Sequence, residues 1–394
     1  MLRRSFTLLC AFAAALVLFA GAPSVAAGAT VHEVAPGQSL WSIARSYGVS
    51  VDAIRAKNGL REDAAIQPGQ KLRIPESRGR ASKEPASKDD KRDAKDDGGI
   101  AKPAASTQVQ KSVAERGGVN PCNTNDLGFG IYDKWDRAPS MGQMIAPQRG
   151  GVTKSGSFDV MFHFHGHEAV RKEWVKVMDG AVLVGIDLGI GSGAYSAAFS
   201  SPAAFERLVE SVEAAVAKKT GKKKARARKI GLSAWSAGYG AVQQILQQTN
   251  GTKRIDAVLL LDGLHCGYEG GGLAAREIEP FLQFAREASR KRRLMFVSHS
   301  SIIPPGYAST TETARFLIAE LGGKPRKTKP RGSDPMGLDL VSRYSSGNFH
   351  VRGYAGNDKM DHCAHIGLLK DILKVHVKPR WGSPRGSARK DGTR

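Results

Sequence analysis

The sequence predicts an α/β protein in which a mostly parallel sheet is flanked by helices and preceded by a small βααβ module. Three observations carry that expectation. From residue 158 onward, short continuous apolar runs alternate with longer amphipathic stretches, as in parallel strands covered by helices on both faces. Residues 31–75 hold a separate group of short apolar segments, punctuated by Pro36-Gly37 and Pro68-Gly69 and closed by Pro75. Between the two, residues 76–118 carry charge of both signs and hardly any large apolar side chain. Such a composition cannot offset the entropy of ordering, so it reads as a flexible charged linker.

The first residues have a basic start at Arg3 and Arg4, an apolar run to Ala20, and a small-residue stretch at Val25, Ala26 and Ala27. This is the pattern of a cleaved secretory signal over residues 1–29. The run is short for a membrane span, and nothing later supplies about 18 continuous apolar residues, so no transmembrane span is expected after cleavage. An exported protein of the periplasm, cell envelope or medium is the expectation. Export leaves Cys122, Cys266 and Cys363, which allow one disulfide and one spare thiol in three pairings.

The chain has 59 Lys and Arg against 37 Asp and Glu, a formal charge of +22 that favours polyanionic contacts. No nucleic-acid motif and no basic stretch interleaved with aromatics occurs, so nucleic acid is not expected as a partner. The run KKTGKKKARARK at 218–229 reads as a solvated helix end and loop, able to hold an anionic wall polymer through charge alone.

Within residues 31–75 the periodicity gives a strand at 31–34, helices at 40–47 and 51–57, and a closing strand at 71–74. Val34, Leu40, Ile43, Ala44, Val51, Ile54, Leu60, Ile66 and Leu72 form the expected core. The phrases V-A-P-G-Q-S-L-W-S-I-A, N-G-L and I-Q-P-G-Q-K-L-R-I-P resemble the LysM module across its whole length. The resemblance implies a βααβ fold that binds peptidoglycan or another N-acetylglucosamine-containing glycan. The sugar would lie between the loop at Gly37, Gln38 and Ser39 and the loop at Ile66 and Gln67. Trp41 falls in the helical apolar pattern and reads as core rather than sugar platform.

In residues 119–378, strands are expected at 158–164, 181–186, 229–232, 257–261, 294–297 and 348–354. Helices are expected at 168–178, 202–218, 240–248, 279–291, 311–321 and 363–376. A basic tail follows over 379–394. Ligands of a parallel sheet collect at the carboxyl ends of its strands. There the chain places HFHGH (163–167), DLGIGSG (187–193), SAWSAGYG (233–240), DGLHCGY (262–268), SHSS (298–301) and AGNDKMDHCAH (355–365).

This order resembles the α/β-hydrolase family, in which an HG oxyanion loop, a nucleophile elbow, an acid and a late histidine follow one another. An elbow brings strand and helix so close that the residues two before and two after the nucleophile must be small. Ser236 meets this with Ala234 and Gly238, whereas Ser233 has Trp235 two places on. The resemblance implies that Ser236 is the nucleophile, with the Ala237 amide and the loop at Gly166 and His167 holding the oxyanion.

His362, first in the loop after the last strand, is the implied base, and His365 the alternative. Asp262 is the implied acid, because the loop after Val297 offers no carboxylate before Glu312. If Asp262 and His362 meet, Cys266 and Cys363 lie on the same two loops, and a disulfide between them is expected. His163, His165 and His167, with Asp358, Asp361 and His362, leave open a metal-dependent hydrolase, although no metal or cofactor is expected on the leading reading. That reading is an exported, wall-anchored serine hydrolase cleaving an ester or amide. A non-catalytic wall-binding protein with a degenerate hydrolase fold is the other alternative.

Overall fold

The computed structural model describes residues 30–34, 40, 43, 47, 49, 51–61, 66–67, 69–75, 111–123, 135–147, 150–178, 180–248, 253–304, 306–329 and 335–382. In the N-terminal module, β1 (Val31–Glu33) pairs antiparallel with β2 (Lys71–Arg73), and α1 (Val51–Asn58) lies between them in sequence. Val34, Leu40, Ile43, Ile54, Leu72 and Ile74 form its buried core, with Leu60 and Ile66 packed against it. The Asn58 side chain fastens the helix end to the closing strand by donating to the Arg73 carbonyl and accepting from its amide. Most of the helix expected at 40–47, including Trp41 and Ala44, lies outside the described residues.

The second domain is built on one ten-stranded sheet. Its strands in chain order are β3 (Asp136–Arg137), β4 (Gln143–Ile145), β5 (Ser157–Phe164), β6 (Val182–Ile186), β7 (Arg226–Trp235), β8 (Ile255–Leu261), β11 (Leu294–His299), β12 (Arg326–Lys327), β13 (Asp339–Ser346) and β14 (Phe349–Ala355). Two-residue strands β9 (Tyr268–Glu269) and β10 (Gly272–Leu273) form a small separate hairpin. Across the large sheet the order is β12-β13-β14-β11-β8-β7-β5-β6-β4-β3. The six strands from β14 to β6 run parallel, and the outer ones are antiparallel. This mostly parallel, helix-flanked sheet is the α/β-hydrolase-like architecture the sequence implies.

All six expected parallel strands are present; β5, β6, β8 and β11 are almost wholly buried, whereas β7 starts in exposed basic residues and β14 alternates buried with half-buried positions. The helices are α2 (His167–Val175), α3 (Ser192–Ala198), α4 (Pro202–Thr220), α5 (Tyr239–Gln247), α6 (Ala275–Ser289), α7 (Thr310–Glu320) and α8 (Lys359–Ala364), with further helical turns to Trp381. Two apolar layers cover the sheet. One gathers Phe162, Phe205, Val242 and Phe281, and the other Trp174, Leu259, Phe296 and Leu369.

Both ends of the domain reach beyond the expected boundaries. The Arg116 guanidinium, placed by composition in the linker, is fully buried, donating to Asp361 at 2.5 Å and to the Met336 carbonyl at 3.2 Å. Lys111 pairs with Asp339. At the other end the Trp381 indole is buried and donates to Asp256. A charged segment looks like linker in composition when its partners lie more than 200 residues away in sequence.

The disulfide is also corrected: Cys363 is bonded to Cys122, and Cys266 is a buried free thiol. Cys266 points into the apolar layer that contains Ile278 and Phe281, while Cys363 lies on α8, whose neighbours Ala364 and Ile366 belong to the other layer. The Cys266 thiol is thus enclosed in one apolar layer, whereas the Cys363 sulfur on α8 is taken by Cys122. Burial raises the Cys266 thiol to about 12, consistent with its inert position.

Candidate active site

Ser236 follows the last residue of β7 and opens a short 3-10 turn that runs into α5. Its φ of 49° lies in the left-handed region, which costs a serine backbone strain. The neighbours show why the turn is so tight. A side chain at position 238 would stand 2.1 Å from the Phe164 carbonyl oxygen, and one at 263 would meet the Ser236 amide at 2.8 Å. Ala234 is fully buried at the remaining crowded position. Ser233, by contrast, is buried within β7 and bonds His163 on the paired strand β5.

Asp262, at the end of β8, also has positive φ, 42°. Its Oδ1 accepts from the Ser300 amide at 2.8 Å and the Thr310 hydroxyl at 2.6 Å, and Oδ2 lies 2.7 Å from His362 Nδ1. Burial alone would raise this carboxyl. The electrostatic attraction of the neighbouring His365 ring, the hydrogen bond with His362 and the Thr310 hydroxyl outweigh it and hold the group well below the ordinary carboxylate range. An ionised Asp262 accepts a hydrogen bond from His362 Nδ1–H, so Nε2 of that ring is left as the basic atom.

His362 lies in α8, which Asp358 caps through a reciprocal capping box with Asp361. Arg116 pairs with both carboxylates, at 3.6 Å and 2.5 Å, and the Cys122–Cys363 bond holds the next residue. The Trp235 indole N–H donates to the His362 carbonyl at 3.0 Å, and its ring packs on the imidazole at 4.9 Å. Three independent ties thus fix one turn of helix. His365 is fully buried, bonded to Ser298 Oγ at 2.8 Å, and burial lowers it to about 4. It supports the site from inside and does not share the His362–Asp262 contact.

The loop after β5 is bound to a residue that sequence reasoning did not single out. His165 and Gly166 both have positive φ, 73° and 76°. Asp187, at the end of β6, accepts from the Gly166 amide at 3.0 Å, the Tyr195 hydroxyl at 2.9 Å, and the rings of His165 and His167 at 3.2 and 3.3 Å. Partial burial would raise Asp187, but the two histidine bonds dominate and depress it strongly. The Gly166 amide is therefore engaged by Asp187. His167 opens α2, where backbone amides have no intrahelical acceptor, and the same holds for Ala237 at the start of its turn. The signal for Asp187 in the sequence was its place in DLGIGSG at a strand end.

His163, which sequence reasoning grouped with His165 and His167, turns into the protein instead. Its Nε2 donates to the His165 carbonyl at 2.7 Å, and its Nδ1 accepts from Ser233 at 3.0 Å. Burial drives it down to about 3. Among the described residues, no group of three or more His, Cys, Asp or Glu side chains is arranged to hold a metal ion.

In the N-terminal module, Gly37, Gln38 and Ser39 lie outside the described residues. Ile66 packs on the module core, and the exposed Gln67 forms a turn with Gln70. Residues 32–75 match the family model described as the LysM domain. This segment is a LysM domain. Over 45 residues the chain is 58% identical to the "Putative sporulation-specific glycosylase YdhD" of Bacillus subtilis, covering 11% of this chain and 10% of that protein. It is 46% identical over 55 residues to the "Probable endopeptidase p60" of Listeria welshimeri, 14% of this chain and 10% of that one. The chain thus spans about a tenth of the length of these curated relatives. For the solved structures, an IroE-like serine hydrolase from Shewanella oneidensis superposes over 60% of this chain and 75% of its own. At a TM-score of 0.34 and 12% identity, that likeness does not establish a shared activity. No described helix is long and apolar enough to cross a membrane.

Proposed function

We propose that the protein is an exported serine hydrolase, held at the cell wall by its LysM domain, that cleaves an ester or amide through an acyl-enzyme. The observation that carries this reading is the 2.7 Å contact between His362 Nδ1 and the buried Asp262 carboxylate. Gly263, the residue after Asp262, packs against the backbone of Ser236, which stands in a left-handed turn at the end of a central strand. Asp262 holds the imidazole so that Nε2 receives the Ser236 proton as Oγ attacks the carbonyl carbon, and it stabilises the imidazolium that forms. The Ala237 and His167 amides hold the developing oxyanion, with Asp187 fixing the second of these through the loop at His165 and Gly166. Collapse of the tetrahedral species expels the leaving group, protonated by His362. Water then attacks the acyl carbon as His362 takes its proton, and collapse breaks the acyl–Oγ bond, His362 returning the proton to Ser236 as the acid leaves.

The LysM domain supports retention on peptidoglycan or another N-acetylglucosamine glycan, with Gly37, Gln38, Ser39, Ile66 and Gln67 as the sugar-facing positions. Two measurements test the parts separately. Turnover of a p-nitrophenyl ester should disappear in Ser236→Ala and persist when residues 31–75 are deleted. That deletion should remove co-sedimentation with purified peptidoglycan. Equal turnover by wild type and Ser236→Ala would leave the serine mechanism untenable, and a turnover abolished by chelator and restored by zinc would favour the metal-dependent alternative.

A further inference from the structure

The edge of the sheet opposite the candidate active site carries a different chemistry. The six parallel strands all begin there, at Ser157, Val182, Arg226, Ile255, Leu294 and Phe349. The segments leading into three of them are basic: 218–226, Lys253-Arg254, and Arg290 to Arg293. Contacts join these segments into one surface. Arg293 donates to the Lys253 carbonyl at 3.0 Å, Arg380 to the Arg292 carbonyl at 2.8 Å, and Lys229 to the Arg380 carbonyl at 2.7 Å.

The cations divide into two classes. Arginines are mostly spent on carboxylates inside the edge: Arg226 on Glu213, Arg228 on Asp159, Arg254 on Glu206, and Arg380 on Asp256. Lys222, Lys223, Lys224, Lys253 and Lys291 take part in no ion pair among the described residues, and all but the half-buried Lys222 are exposed. Lys222 to Lys224 form the projecting turn between α4 and β7, just after Gly221. A fold that pairs its arginines and leaves its lysines free keeps a surplus of hydrated point charges on one side.

We infer that this edge docks a flexible polymer that carries phosphates and no planar bases. Free lysines bind a phosphate chain as point charges, with counterion release as the driving force, and need no fixed ligand geometry. The exposed large apolar residues Ile190, Tyr268 and Ile303 follow the carboxyl ends of their strands, while exposed Val375 lies on the last helical segment. The basic turn holds no aromatic side chain, which argues against stacked single-stranded nucleic acid, and no apolar wedge for a bilayer. Docking here leaves the carboxyl-terminal ends of the strands facing away from the polymer. The inference stands independently of the hydrolase reading.

The test is binding of the full chain to inorganic polyphosphate across a sodium chloride series. Replacement of the turn by Lys222→Glu, Lys223→Glu and Lys224→Glu should weaken binding about tenfold or more and flatten its salt dependence. A control with the same charge change on the exposed edge strand, Lys324→Glu, Arg326→Glu and Lys327→Glu, should lose far less. Thermal midpoints of both variants check that each is folded. Equal loss in the two variants would reduce the effect to net charge and overturn the inference. So would the absence of binding, or tighter binding to duplex DNA, to polyglutamate or to vesicles containing phosphatidylglycerol.

Discussion

The two edges of the central sheet solve the problem of polar groups in opposite ways. At the carboxyl-terminal edge, His265, His299 and His365 are buried and neutral around the buried carboxylate of Asp262, and His163 is buried and neutral at the neighbouring strand end. Backbone strain is concentrated there too, at His165, Ser236 and Asp262, against Lys291 at the other edge. At the amino-terminal edge the buried acids Asp159 and Glu213 meet arginines, lysines are left in solvent, and His350 and His376 are the histidines that burial lowers. Strain and neutralised histidines cost stability, and their larger share lies where chemistry would be performed. The first edge should therefore be sensitive to acid and the second to salt.

Acidification should have the largest effect. Burial holds His265, His299 and His365 near 4 and His163 near 3, all below the ordinary 6.5. Between those values the unfolded chain binds more protons than the folded one, so stability is complete above about 6.5 and is lost as pH falls toward 4. The thermal midpoint measured at pH 7, 6, 5 and 4 should fall steeply below 6. A flat profile would mean that these rings are not held neutral.

Asp262→Asn should come next. An amide can present its N–H to His362 and favour the wrong tautomer, so turnover should drop by about 10⁴ with little change in KM. A smaller effect is expected for Asp187→Asn, which leaves the triad intact but loosens the loop at Gly166. A loss in kcat of roughly tenfold to a hundredfold, with KM unchanged, fits a residue that positions one oxyanion donor. Partial rescue by Asp187→Glu would separate positioning from simple misfolding. The smallest effect belongs to the opposite edge, where the triple lysine variant of the 222–224 turn should leave ester turnover unchanged.

What could be read from the sequence follows the range of the interactions involved. Most of the six parallel strands were legible as continuous apolar runs; β7 was found although it extends to Arg226 and Trp235 at its two ends, and β14 although His350 and Arg352 interrupt it. The hairpin of β12 and β13 was not, since DLVSRYSS is half-exposed and has no clean alternation. The short helix at Ser192–Ala198 is built from small residues and carries little apolar signal. The positions of Ser236 and Asp262 just past strand ends, and the contact of Asp262 with His362, were legible from the order of the motifs. Asp187 was missed because its role lies in four bonds to residues on other elements. The Cys122–Cys363 bond joins positions 241 residues apart, and loop proximity alone could not reveal which thiol takes the Cys363 sulfur.

The central claim is that Ser236 is an activated nucleophile with His362 and Asp262 behind it. Treatment of the folded protein with a fluorophosphonate, followed by peptide mass spectrometry, addresses it most directly. A single adduct on the peptide containing Ser236, absent in Ser236→Ala and strongly slowed in His362→Ala, is the predicted result. No adduct on folded wild-type protein, or an adduct that survives Ser236→Ala, would contradict it.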